Sequence, residues 1–193
     1  MFTPRTCPPS AQPSTWARPA TITGSRRLEE LALRYVGRYA TTRAKLIAYL
    51  GRKIRERGWQ EQREPDLERI ATRFSDLGYV DDAAYALAKS RALSSRGYGK
   101  RRIDDKLRLA GVREDDSAAA RDHADDSAVA AALRFARRRK IGPFASGERD
   151  AKQREKAIAA MIRAGHAFAL ARTIADMPPG TEADEDNLRG YLS

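Results

Sequence analysis

The sequence predicts an all-α protein of about nine helices, arranged as three tandem three-helix repeats that form an elongated, curved body. Three observations support this fold. Apolar residues recur at the i, i+3, i+4 spacing of amphipathic helices across residues 25–176. Glycine and proline interrupt that spacing where helices would end. No stretch alternates in the β-branched or aromatic pattern of a strand, so a sheet is not expected.

The first three predicted helices fall in residues 25–80. The apolar face of the first is formed by Leu28, Leu31, Ala32, Tyr35, Val36 and Tyr39. The second is marked by Leu46, Leu50 and Ile54 and ends at Gly58. The third is marked by Leu67, Ile70, Ala71, Phe74 and Leu77. Pro65 suits the first turn of the third helix, and Gly78 suits its C-terminal cap.

Six further helices are predicted between residues 81 and 176. Asp81 and Asp82 open the fourth, because carboxylates there accept from free N–H groups and favour the positive end of the helix. That helix stops near Gly97. The others are expected at about 101–110, 118–120, 127–140, 150–164 and 167–176.

An internal repeat groups these helices into threes. The second helix of each triplet carries an apolar pair at i and i+4 that follows basic residues: Leu46 and Leu50, Ile103 and Leu107, Ala157 and Met161. Positions 50, 107 and 161 are 57 and 54 residues apart. The predicted modules are 25–80, 81–126 and 127–176. Each would bury little apolar surface alone and would lean on its neighbour. The alternative is one irregular nine-helix domain.

The two ends of the chain differ from the helical body. Residues 1–24 are rich in Pro, Ser and Thr and predict a disordered arm. Residues 177–193 begin with Pro178-Pro179-Gly180 after Met177 and continue as an acidic tail.

Charge indicates an anionic partner. The formal net charge is +11, and residues 25–110 hold 21 basic and 12 acidic side chains. Residues 176–193 hold one basic and five acidic side chains. A basic body attracts phosphate groups or other anionic surfaces. The alternative interpretation is a helical protein whose charged faces are merely solvated.

Other classes of protein fit poorly. Cys7 is the only cysteine, so no disulfide forms within the chain, as is usual in a reducing cytoplasm. No membrane segment or secretory leader is recognised, and a cytoplasmic location is expected. His123 and His166 lack metal-ligand spacing, and the paired aspartates suit helix caps better than a metal nuclease site. The sequence has no phosphate-binding glycine loop or nucleophile elbow, so neither an enzyme nor a cofactor is expected.

The middle of the chain carries a recognisable combination of motifs. It reads Leu77-Gly78-Tyr79-Val80-Asp81-Asp82, then Tyr85-Ala86, Arg96-Gly97-Tyr98-Gly99, Arg101-Arg102-Ile103, Leu107 and Gly111-Val112. This combination resembles the signature of the RecX family, over about residues 26–175 and most strongly over 77–112. The departures are Lys100 in place of a frequent proline, Lys89 and Ser90 in place of more apolar residues, and His166 in place of a frequent aromatic residue.

The resemblance implies a non-enzymatic helical-repeat protein. Members of the family bind the RecA recombinase filament on single-stranded DNA, limit its growth and damp strand exchange, and several also bind DNA directly. For this chain the resemblance therefore implies RecA and single- or double-stranded DNA as partners. We expect a monomer that does not associate with membranes. The alternatives are a basic helical module that acts on DNA alone, and a protein–protein scaffold whose charge only aids solubility.

Basic residues are the candidates for contact with RecA or DNA. They are Arg43, Lys45, Arg52, Lys53, Arg91, Arg96, Lys100, Arg101, Arg102, Arg137, Arg138, Lys152 and Arg154. Lys100, Arg101 and Arg102 open a helix, where cations oppose the dipole, so an outside group must offset their charge. The alternative is that the nearby acids Asp104 and Asp105 offset this charge. Tyr79 and Tyr98 could stack on a base or, alternatively, pack helices together.

Overall fold

The computed structural model describes residues 21–191. Ten α-helices form this part of the chain, and it contains no strand apart from one isolated bridge between Ile22 and Trp59. The helices are α1 Ser25–Val36, α2 Arg43–Arg57, α3 Leu67–Asp76, α4 Asp82–Ser94, α5 Lys100–Leu109, α6 Ala118–Asp126, α7 Ala128–Arg139, α8 Ala151–Arg163, α9 Phe168–Asp176 and α10 Glu185–Arg189. The all-α prediction is confirmed, with one helix more than expected.

Side-chain caps fix where several helices begin. Thr42, Asp66 and Asp81 each accept a hydrogen bond from the backbone N–H three residues later. Asp150 and Gln153 form a reciprocal capping box at α8. A cap of this kind stabilises a helix by about 1 kcal/mol. Because Asp66 is the cap of α3, Pro65 precedes the helix and does not lie in its first turn, where the sequence had placed it.

Three separate apolar cores hold the helices in consecutive triplets. The first lies among α1–α3 and includes Leu46, Leu50 and Phe74. The second lies among α4–α6 around Ile103 and Leu107. The third lies among α7–α9 and includes Met161, Leu170 and Ile174. Most of the extensive helix–helix contacts also lie within a triplet. Each core lies mainly within one predicted module, although Ile22 joins the first core and Leu188 the third from outside the module bounds. The elongated shape remains a prediction.

Parts of the N-terminal arm and of the acidic tail pack against the helical body, which the sequence did not predict. Ile22 is fully buried in the first core, so the predicted arm of residues 1–24 does not extend to its last residues. Residues 1–20, including Cys7, lie outside the described residues. In the acidic tail, Leu188 of α10 is 3% exposed and packs in the third core. The Gly180 N–H also donates to the Pro143 carbonyl at 2.9 Å. One leucine among acids leaves no periodic signal, which is why this helix was missed.

Two residues assigned to apolar helix faces are exposed. Tyr39 is 54% exposed and Leu77 is 59% exposed. Helix α1 ends at Val36 and α3 at Asp76, so both residues follow the helix whose periodicity they extend. The i, i+3, i+4 pattern therefore overestimates the apolar face by one turn.

The second helices of the three modules form a head-to-tail row. The Thr42 hydroxyl, at the N-terminus of α2, donates to the Ala110 carbonyl at the C-terminus of α5 over 2.5 Å. The Gly99 N–H, at the N-terminus of α5, donates to the Ala164 carbonyl at the C-terminus of α8 over 2.9 Å. We call the contact between modules one and two the first joint, and the contact between modules two and three the second joint. Each joint brings together opposite ends of two helix dipoles, which is favourable.

Glycine makes the second joint possible. Gly165 follows α8 with a φ of +97°, and a Cβ there would collide with the Arg102 backbone N–H. A Cβ on Gly99 would collide with the Gly165 carbonyl group. Gly111 is the equivalent of Gly165 in the first joint and packs against Ala44. The glycine that reads as a helix stop in the sequence therefore also allows two modules to approach closely.

Replacing Gly165 with alanine should destabilise the protein by more than about 2 kcal/mol. The positive φ costs a side chain about 1–2 kcal/mol, and the backbone collision at the joint adds to this. Urea unfolding measures the change. Gly180→Ala is the matched control, because Gly180 has a φ of +81° but a methyl group there would meet no atom within 4 Å. Equal losses of unfolding free energy in the two variants would show that the close approach at the joint does not contribute to stability.

Candidate nucleic-acid and protein interface

Two of the predicted contact residues, Arg43 and Lys45, lie at the first joint, between modules one and two. The Arg43 backbone N–H donates to Oδ1 of Asp82 over 2.9 Å, and the Arg43 side chain lines a cleft with Asp81, Asp82 and Asp116. Lys45 donates to the hydroxyl of Tyr85 on α4, with its Nζ 4.5 Å from the ring centroid. Arg43 thus contributes its backbone N–H, and Lys45 its side chain, to the contacts between modules one and two.

Asp82 has a different role from the one its position suggests. It is 7% exposed, and its carboxylate caps α2 in the neighbouring module, whereas Asp81 caps its own helix α4. Burial raises the pKa of Asp82, while the hydrogen bond from the Arg43 N–H opposes that rise. The Asp81-Asp82 pair therefore caps two helices at once, which explains two adjacent carboxylates without a metal.

Two more candidates on α2 are paired with an acid. Glu56 lies 2.6 Å from Nζ of Lys53 and 3.5 Å from Nε of Arg52. The hydrogen bond from Lys53 lowers the pKa of Glu56. Arg52 and Lys53 keep a net positive charge with Glu56 between them, but neither is an unpaired cation.

Within residues 21–191, only the lysine of the basic cluster that opens α5 has an acidic partner. Nζ of Lys100 lies 2.6 Å from Oδ2 of Asp125 on α6. The Arg101 backbone N–H donates to the Gly165 carbonyl over 3.2 Å, at the negative end of α8. Asp104 and Asp105, the alternative source of balance, lie near Arg121 and Arg108 instead. Arg101 and Arg102 remain exposed.

Arginines of α7 reach across the second joint to α4. Nη1 of Arg138 donates to the Arg96 carbonyl over 2.6 Å, and Nη1 of Arg134 donates to the Ser94 carbonyl over 3.4 Å. Arg137 turns away, with its Cζ 4.8 Å from the centroid of the Phe144 ring. As expected for a basic run that sweeps around a helix, only part of it faces the joint.

We define the joint cluster as five exposed arginines around the contact between modules two and three: Arg96, Arg101, Arg102, Arg134 and Arg138. Within residues 21–191, none of the five forms a salt bridge with an Asp or Glu side chain. Arg91, Lys152 and Arg154 are also exposed, on α4 and at the start of α8. The thirteen candidates from the sequence remain spread over three modules, and the structure brings five arginines without an acidic partner together at this joint.

The two candidate tyrosines have different surroundings. Tyr98 is half-buried and packs against both the second and third cores, beside Arg102. Tyr79 is 53% exposed and leans on Phe74 with ring centroids 5.6 Å apart. Helix packing therefore explains the position of Tyr98, whereas about half of the Tyr79 side chain remains exposed to solvent.

Two residues that depart from the RecX signature are accommodated in the interior. Ser90 is fully buried, and its hydroxyl donates to the Ala120 carbonyl over 2.8 Å. His166 is 2% exposed and packs on Phe135, with Nε2 3.1 Å from the Gly97 carbonyl. Burial lowers the pKa of His166 to about 4, so the ring is neutral near pH 7 and fills the place of an aromatic residue.

Similarity to known proteins agrees with this architecture. The regulatory protein RecX of Myxococcus xanthus is 32% identical over 163 residues, covering 79% of this chain and 86% of that protein. The chain belongs to the RecX family. A second RecX, from Agrobacterium fabrum, is 35% identical over 109 residues, 56% of this chain and 57% of its own length. No protein-family model matches the sequence.

Solved RecX structures share the fold. The crystal structure of RecX from Lactobacillus salivarius has a TM-score of 0.56 at 19% identity, covering 77% of this chain and 92% of that chain. A second RecX crystal structure has a TM-score of 0.55 at 20% identity. The curated relatives carry the name regulatory protein, in keeping with a regulatory rather than an enzymatic family.

Metal ligands and membrane-spanning helices are both missing from the described part of the chain. Between residues 21 and 191, no group of three or more His, Cys, Asp or Glu side chains is placed to hold a metal ion. No helix in that range is long and apolar enough to cross a bilayer.

Acidification should weaken the second joint through His166. Its folded pKa of about 4 lies below the ordinary histidine value of 6.5, so its contribution to stability is present above pH 6.5 and is lost as pH falls towards 4. The total loss is about 3 kcal/mol. Urea unfolding between pH 7 and 4 measures it, and His166→Phe, which cannot titrate, should flatten the profile. Parallel profiles for the two proteins would exclude His166 as the cause.

Proposed function

We propose that this RecX-family chain binds the RecA filament assembled on single-stranded DNA, limits filament growth and damps strand exchange. It acts without catalysis, as a monomer, and also binds DNA directly. Membership of the RecX family is the reason for proposing RecA as the partner. The joint cluster is the observation that supports the contact surface, because its arginines are exposed and unpaired.

The chemistry of the joint cluster suits phosphate. Arginine presents a planar fork of donors that matches a phosphate group. Cations that neutralise phosphates release bound counterions, which supplies sequence-independent affinity. The cluster draws on the turn after α4, on α5 and on α7, so its arrangement depends on the joint between modules two and three.

A basic module that acts on DNA alone is the second candidate, and the net charge of +11 favours it. A protein scaffold without DNA affinity is the third. Binding to bare single-stranded DNA, to free RecA and to RecA assembled on DNA distinguishes them. Tightest binding to the assembled filament supports the proposal, equal binding to bare DNA supports the second candidate, and binding to free RecA alone supports the third.

Binding to bare single-stranded DNA should weaken steeply as salt rises. The slope of log K against log salt is about −0.7 for each phosphate neutralised, so full use of the joint cluster would give about −3.5. Arg96→Ala with Arg138→Ala should reduce that slope by about 1.4. Fluorescence anisotropy of a labelled strand at several salt concentrations measures it. A slope near zero would show that electrostatic contacts do not contribute to DNA binding. An unchanged slope in the double variant would show that the phosphate contacts lie elsewhere.

Replacing Lys100, Arg101 and Arg102 together with alanine should leave the fold intact and reduce inhibition of RecA filament assembly. Alanine suits a helix start, and the exposed Lys100–Asp125 pair is worth only about 0.2–1 kcal/mol. Inhibition of filament assembly and strand exchange is the measurement.

Two controls accompany the triple variant. Arg26, Arg63 and Arg69 changed together to alanine remove the same charge from exposed positions outside the candidate surface. Leu107→Ala, at a site 3% exposed, should destabilise the protein by about 2–5 kcal/mol and lose activity through unfolding. If the Lys100 triple variant inhibits at wild-type concentrations, the α5 cluster is not the contact surface, and modules one and three are the next places to test.

A further inference from the structure

Three tyrosines form a continuous stack on module one. The rings of Tyr35 on α1 and Tyr49 on α2 are stacked, with centroids 4.1 Å apart and planes inclined by 9°. Tyr39 adds a third ring, tilted by 50°, with its centroid 5.6 Å from that of Tyr35. The backbone N–H of Tyr39 donates to the Tyr35 carbonyl over 3.0 Å, which ties the last ring to the end of α1.

Packing explains the inner rings of the stack but not the outer one. Tyr35 and Tyr49 pack against the first core and join α1 to α2. Tyr39 is 54% exposed and does not belong to that core. An aromatic ring that is held in place from one side while its other surface faces solvent is a preorganised platform for a flat ligand.

Cations flank the stack. Cζ of Arg52 and Nζ of Lys53 lie 5.6 Å and 5.8 Å from the centroid of the Tyr49 ring. Glu56 offsets one of these two charges. Arg34 and Arg38 directly precede Tyr35 and Tyr39 in the chain and are exposed. Neither forms a salt bridge with an acidic side chain among residues 21–191. The platform thus lies in a region of net positive charge.

Aromatic rings beside cations are the means by which proteins hold single-stranded nucleic acid, since bases stack on the rings while phosphates meet the cations. We propose that Tyr39 is a stacking site for an unpaired base of single-stranded DNA. Arg34 and Arg38, on the same segment of chain, and Arg52 and Lys53, beside the inner ring of Tyr49, are available to the adjoining phosphates. A duplex offers no such base, because its bases are already stacked inside the helix. This inference rests on the direct DNA binding in the proposed function and assigns it a residue.

Tyr39 suits this role better than the two tyrosines singled out from the sequence. Tyr98 is half-buried between two cores. Tyr79 is as exposed as Tyr39 and leans on Phe74, but among the described residues no cation lies over either ring of that pair, whereas Arg52 and Lys53 lie beside Tyr49 in the Tyr39 stack. Of these three tyrosines, Tyr39 is the one whose exposed ring belongs to a stack with cations beside it.

The test compares two strands that have the same phosphates. One is a labelled oligo(dT), and the other is an abasic oligonucleotide of equal length. Fluorescence anisotropy should show that the wild-type protein prefers oligo(dT) by about five-fold or more, the low end of base–aromatic stacking. Tyr39→Leu should remove that preference and leave affinity for the abasic strand unchanged, while Tyr39→Phe should retain it. Phe168→Leu, at another exposed aromatic residue, should behave as wild type.

Each outcome bears on a different claim. If the wild-type protein binds both strands equally, or Tyr39→Leu keeps the preference, the stacking site is wrong while the joint cluster and RecA binding stand. If the wild-type protein binds neither strand, direct DNA binding fails together with this inference. If Tyr39→Leu keeps oligo(dT) binding but loses affinity for the RecA filament, the platform contacts protein, and the DNA assignment is overturned. Circular dichroism confirms that the exposed substitutions leave the helices intact.

Discussion

The fold depends on the contact between the N-terminus of one second helix and the C-terminus of the next. Helix ends leave N–H groups and carbonyls without partners inside the helix, and these groups must find partners elsewhere. In this protein, part of that requirement is met across the joints, through Thr42 and Ala110 in one case and Gly99 and Ala164 in the other. Three small cores are thereby held in order along the chain.

The same contact shapes the charged surface. Cations at the start of α5 would be unfavourable on an isolated helix. Here the first backbone N–H groups of α5 meet the carbonyl end of α8, and Lys100 is paired with Asp125. Close approach at the second joint also brings Arg134 and Arg138 to the carbonyl groups at the end of α4. The proposed surface for an anionic partner thus lies where the modules meet, so the proposal links function to the integrity of the joint.

The candidate site could be predicted only in part. Residue type identified basic side chains and exposed tyrosines, but could not separate paired cations from free ones. Lys100 and Asp125 are 25 residues apart in sequence, and Lys45 and Tyr85 are 40 apart. Tyr39 was assigned to an apolar face because it continues the spacing of α1, although the helix ends before it. These errors have one cause, namely that a side chain's partner on another helix leaves no local pattern.

The sequence by itself determined the family, the all-helical class, nine of the ten helices and the Asp81 cap of α4. These features depend on residues three or four positions apart, whose spacing is visible in the chain. The tertiary structure alone decided which cations are free, that Asp82 caps a helix in another module, and that His166 is a neutral ring in the interior. His166 and Gly97 are 69 residues apart, and Thr42 and Ala110 are 68 apart. Contacts over such separations exist only once the helices have packed, because packing and not local spacing brings their ends together.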